Sequence, residues 1–175
     1  MLFIPGEIIS AITFPGVIVH EFAHMAFCKI RKVAVLDACY FRFGNPAGYV
    51  IHEHTDNFYS TFLISMGPFF VNTLLCLLIC FPAYMPIKFF DISHPLSYFL
   101  VWLGVSIGMH AIPSNEDASN LFVQAKEKIK EFNFLALISF PLVGFIYLFN
   151  VLRVIWADLF YGVAIGIGLP SLIFR

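Results

Sequence analysis

The residues best placed to do chemistry are His20, Glu21 and His24, in the run His20-Glu21-Phe22-Ala23-His24. Two histidines four apart share one face of a helix, so both imidazoles can reach a single ion, and the glutamate beside them is placed to act as a base. In soluble sequences HExxH is a common accident. Here it follows Ile12-Thr13-Phe14-Pro15-Gly16-Val17-Ile18-Val19, an apolar setting in which ionisable groups are costly and usually functional. We therefore expect Zn²⁺, held by His20 and His24, with Glu21 as the catalytic base.

Catalytic zinc usually has three protein ligands and one open position. The third is expected from His110-Ala111-Ile112-Pro113-Ser114-Asn115-Glu116-Asp117-Ala118, where Pro113 disfavours helix just before it and polar residues follow. Irregular backbone at membrane depth is tolerated where it lines a cavity. Asp117 is the preferred ligand, then Glu116, then His110. A plainer role for Asp117 is capping of a helix over 118–130.

The elements that must position these groups are read from composition. Of 175 residues, 60% are hydrophobic and 12% charged, against about 45–50% and 25% in soluble domains, so the chain reads as an integral membrane protein. A net charge of −1 leaves no basic footprint for nucleic acid. A spanning helix needs about 20 apolar residues, and five segments approach this: 7–29, 58–84, 96–112, 134–151 and 154–174. No Lys or Arg precedes the first apolar run, so that helix is expected to be retained. With the N-terminus outside, Lys29, Arg31, Lys32, Arg42, Lys126, Lys128, Lys130 and Arg175 fall on the cytoplasmic side, and Lys88 and Arg153 opposite. His20 then lies about 13 Å below the cytoplasmic surface.

Residues 33–51 are rich in β-formers around Gly44-Asn45-Pro46-Ala47-Gly48 and read as a cytoplasmic β-hairpin. The fold expected is therefore all-α and polytopic, with about five transmembrane helices and one small hairpin. Cys28, Cys39, Cys76 and Cys80 form no CxxC pair and read as small packing thiols. His52-Glu53-His54 with Asp56 reads as a solvated loop, and His94 as surface.

Three motifs in order, His20-Glu21-x-x-His24, Gly67-Pro68-Phe69-Phe70-Val71-Asn72 and His110-x-x-Pro113 with Asp117, make the chain resemble the site-2 protease family of intramembrane zinc metalloproteases. The resemblance covers residues 7–120, with 134–175 as additional transmembrane helices in a single membrane domain. It implies a zinc metalloendopeptidase acting on a transmembrane protein or peptide within the lipid bilayer, in a prokaryotic cell membrane, with the site facing the cytoplasm. Zinc ligands would be His20, His24 and Asp117, Glu21 the base, and His110 or Asn72 the oxyanion partner. An edge of the hairpin would hold a substrate strand by β-augmentation. The chain departs from the family pattern in placing Asn72 one residue further from Gly67-Pro68, His110 where Asn is usual, Asp117 one residue closer to Pro113, and Ala118 where Gly is usual. PDZ-type regulatory domains are absent. A zinc-binding protein without proteolysis, whether scaffold or metal carrier, is the alternative from another class, and the intact Glu21 argues against it. A zinc hydrolase acting on a lipid or small amide also fits the motif. Oligomeric state leaves no trace in the sequence.

Overall fold

The computed structural model describes residues 6–89 and 94–173. The described residues are mostly helical, with one hairpin: α1 (Gly6–Ile12), α2 (Phe14–Arg31), β1 (Val35–Cys39), β2 (Tyr49–His52), α3 (Phe58–Phe89), α4 (Pro95–Met109), α5 (Asn115–Lys128), α6 (Phe134–Leu152), α7 (Ala157–Val163) and α8 (Leu169–Ile173). A helical architecture with one small hairpin is as expected. Among the described residues, fewer helices than five are long and apolar enough to cross a membrane. Phe58–Lys88 and Phe134–Ile155 meet that test, and α1 with α2 makes a third if the bent pair is one span. At 15 residues, α4 is only about 22 Å long against a hydrocarbon core of about 30 Å.

The expected first helix is broken. α1 and α2 meet at 86°, because Pro15 has no N–H to continue the α1 ladder and restricts Phe14 before it. Thr13 ends α1 by bonding back to Ile9 O through both its N–H and its hydroxyl. At the other end Lys32, in the left-handed region, closes α2, and Val33 N–H caps Cys28 O.

The expected fourth span is present as α6, but the expected fifth is not a span of full length. Arg153–Ile155 is a 3₁₀ turn and Trp156 is left-handed, but α7 does not fold back along α6. It packs on α4, where a β-carbon at Gly162 would stand 2.8 Å from Val105 O. α6 lies along α5 instead, through Ala118, Leu121, Ala125, Ala136, Val143 and Ile146. Arg153 is consequently not remote from the three motifs: its Nη2 donates to Ile112 O. Phe174 and Arg175 lie outside the described residues.

Small residues set the helix spacing. Close approach of backbones is the usual device where apolar burial cannot drive association. A β-carbon at Gly16 would fall 2.0 Å from Ser106 O, and β-carbons at Gly104 and Gly108 would fall 2.3 and 2.7 Å from the Cys80 and Cys76 sulfurs. Cys76 and Cys80 are buried free thiols used as packing groups. In the hairpin, β1 and β2 run antiparallel from Val35↔His52 to Cys39↔Tyr49, with an irregularity between Val35 and Asp37.

The glycines separate into two kinds that mutation can tell apart. Gly16→Ala is expected to destabilise by about 1–3 kcal/mol through overpacking. Gly144→Ala, within α6 and with nothing within 4 Å, is expected to be neutral or stabilising by up to about 1 kcal/mol. Thermal unfolding in detergent would check the pair.

Candidate metal centre

The site begins with a proline. Pro68 lies inside α3, and a proline within a helix leaves the carbonyl four residues earlier without its partner. That carbonyl belongs to Ile64, which is buried, and it is 2.9 Å from His24 Nδ1. A carbonyl oxygen only accepts, so Nδ1 carries the proton and Nε2 is left as a lone pair. Gly67, the neighbour of Pro68, gives α2 the room to approach: a β-carbon there would stand 2.4 Å from the Phe27 ring.

His20 is oriented in the same way by a second freed carbonyl. α4 ends at Met109, and residues 110–114 are non-helical, as the sequence suggested. His110 O is 2.6 Å from His20 Nδ1, so the His20 proton is also on Nδ1. The two Nε2 atoms then face each other at 3.2 Å, two lone pairs with no proton between them. Hydrogen bonds of this kind, from the far ring nitrogen to a carbonyl, are what metal-bound histidines ordinarily make.

Asp117 completes the group. Ser114 caps α5, accepting from Asp117 N–H at 3.1 Å, while Asp117 Oδ2 accepts from the Ser114 N–H and hydroxyl at 2.9 and 2.6 Å. This is a capping box with aspartate in the glutamate position. Capping and ligation are thus the same geometry here, not rival roles. Oδ2 stands 3.5 Å from His24 Nε2. The two hydrogen bonds that Ser114 donates to Oδ2 favour the ionised carboxylate.

His20, His24 and Asp117 form a group that could hold a metal ion, their ligand atoms all lying within 4.8 Å of one another. Ligands about 2.0–2.1 Å from a tetrahedral ion stand about 3.3 Å apart, and the separations of 3.2 and 3.5 Å agree with that. Two lone pairs and an anion converging in a buried place call for a cation, so the donor set fits. Glu21 is buried on the same helix. The turn of the hairpin closes on it, and a β-carbon at Gly48 would lie 2.6 Å from Glu21 Cγ and 3.0 Å from Oε1.

The remaining expected residues are near the centre but face elsewhere. The His110 ring is bonded through Nε2 to Thr13 Oγ1 at 2.8 Å. The Thr13 proton is already given to Ile9 O, so His110 is the donor there. Its contribution to the group is its backbone carbonyl. Asn72 is fully buried, and its Nδ2 lies 3.1–3.3 Å from Gly16 O, Ile107 O and His110 O. That amide ties α2, α3 and the end of α4 together, and it could serve an oxyanion only by leaving those carbonyls. Glu116 is exposed. His54 and Asp56 pair at 3.6 Å on an exposed loop, as expected of a solvated face. His94 caps α4, accepting from Leu96 N–H.

Sequence reasoning did not single out Ile64, Thr13, Asn150 or Arg153, and assigned Ser114 no role. Ser114 and Asp117 carry a legible cap signature, and Pro68 points four residues back to Ile64. No family model, curated protein or solved structure matches the chain.

Two variants probe how the ligands are held. Pro68→Ala restores an N–H that competes with His24 for Ile64 O, and zinc affinity is expected to fall about tenfold, measured by chelator competition. Ser114→Ala is expected to cost about 1 kcal/mol of stability from the lost cap and to weaken zinc binding as well.

Proposed function

We propose that this chain is an intramembrane zinc metalloprotease of the site-2 protease kind, hydrolysing peptide bonds of membrane-embedded substrates near the cytoplasmic side. The observation that carries the reading is the convergence of two Nε2 lone pairs and the Asp117 carboxylate beside a buried glutamate. A group meant only to hold an ion has no need of Glu21.

His20, His24 and Asp117 would hold the ion, which when bound supplies Lewis acidity toward a carbonyl and a water of lowered pKa. Glu21 accepts the proton of the attacking water on a carboxylate oxygen and passes it to the nitrogen of the departing amine. Ile64 O and His110 O keep both imidazoles in one tautomer through this cycle. Asn72 keeps the backbones of Gly16 and His110 together, so the histidines do not drift apart. The two-stranded hairpin leaves main-chain edges on which an unwound substrate can lie as a strand, with Gly48 against Glu21 bringing that structure to the base.

Glu21→Gln keeps the size of the side chain and removes the base. Zinc content is expected to be unchanged while cleavage falls by about 10²–10⁴-fold. Comparing membrane-fraction peptides from cells carrying wild-type and Glu21→Gln protein would reveal fragments that depend on Glu21. Zinc retained with no such fragment would favour the scaffold or carrier reading, and cleavage retained by Glu21→Gln would remove the assigned base.

A further inference from the structure

The connector between α4 and α5 delivers Asp117, and it is held from a part of the chain outside the three motifs. Ile112 and Pro113 are buried, and α4 has already ended, so their carbonyls need donors from elsewhere. Arg153 Nη2 donates to Ile112 O at 3.2 Å. Asn150 Nδ2 donates to Pro113 O at 3.1 Å and to Asn115 Oδ1 at 2.9 Å. These are the hydrogen bonds that the Asn150 amide nitrogen makes, and Asn150 Oδ1 is buried with no partner among the described residues. Polar side chains on an apolar helix are costly and are kept for a purpose. Among the described residues, their side-chain hydrogen bonds go to the connector and to the first residue of α5.

α6 is already attached through Ala136, Val143 and Ile146 in one apolar cluster with Ala118, Leu121, Ala125 and Ile112, and Phe149 packs against it, so the polar pair is not what α6 needs to stay in place. What the two side chains determine is where the backbone of residues 112 and 113 sits, between His110 and the Ser114–Asp117 box. We propose that Asn150 and Arg153 are positioning residues for the metal group, fixing the connector so that Asp117 meets His24 and His110 O meets His20. This rests on the metal reading of His20, His24 and Asp117, and it makes the end of α6 part of the centre.

The test uses the full chain in detergent, with zinc itself as the probe. Affinity is measured by competition with a chelator, and melting is followed with and without zinc. In Asn150→Ala and Arg153→Ala, affinity is expected to fall about tenfold, and the rise in melting temperature on adding zinc is expected to shrink. Arg153→Lys keeps one donor for Ile112 O and is expected to recover part of the loss. It also serves if an alanine variant does not fold. A role confined to holding the bundle would lower melting equally with and without zinc and leave the affinity at the wild-type value, which would overturn the proposal. Wild-type protein that takes up no zinc would overturn the metal reading and this inference together.

Discussion

Two backbone carbonyls without helical partners are what the centre depends on. In an apolar interior an unpaired carbonyl is costly, and this chain makes two of them close together. Pro68 releases Ile64 O within α3, and the end of α4 releases His110 O. Each takes the Nδ1 proton of one histidine of the motif. The exchange satisfies the backbone and, in the same step, leaves both Nε2 atoms as lone pairs that could take an ion. An α3 without Pro68 or a longer α4 would keep the histidines in sequence while removing what orients them.

Asn72 supports the same arrangement from the opposite side. An amide nitrogen has two protons, yet three carbonyls from α2 and α4 lie 3.1–3.3 Å from it. Those distances sit at the long end of the range for N–H···O bonds, consistent with two protons shared among three acceptors. The shared site is the crossing point of α2, α3 and α4, one turn of α2 from His20. Gly16, where any side chain would collide with Ser106 O, lets that crossing close. The second motif is therefore a knot in the backbone, whereas the sequence suggested a group facing the reaction.

What the sequence shows and what it hides divide along this line. Local chemistry is legible: a histidine pair at helical spacing, a proline that ends helix near 113, a polar run that must hold a carboxylate, a β-rich stretch between helices. Tertiary partners are not. The spacing of His20 and His24 gives their common face but not the carbonyls that accept from them. The elbow at Thr13 was signalled by Pro15-Gly16 and outweighed by the apolar run around it. Counting loop charges by topology sets Arg153 apart from the site, and only the tertiary contact of its Nη2 with Ile112 O shows how near it lies. The packing of α7 on α4 is equally hidden, since it rests on Gly162 admitting Val105 O and Met109 N.

The carboxylate shows how one residue can satisfy a plain role and a chemical one at once. Aspartate in the first turn of α5 is favoured as an anion by the helix N-terminus, and as an anion it is also the form a cation requires. Ser114 donates to Oδ2, so the carboxyl is turned toward the connector, and the connector is where His110 O already holds His20. Ordering the start of α5 and bringing the three ligands together are consequently one event. A change that frays the cap loosens this group, and a cation held between His24 and Asp117 would tighten the cap. Folding of this segment and any occupancy of the centre would then be thermodynamically linked. The link runs through Ser114.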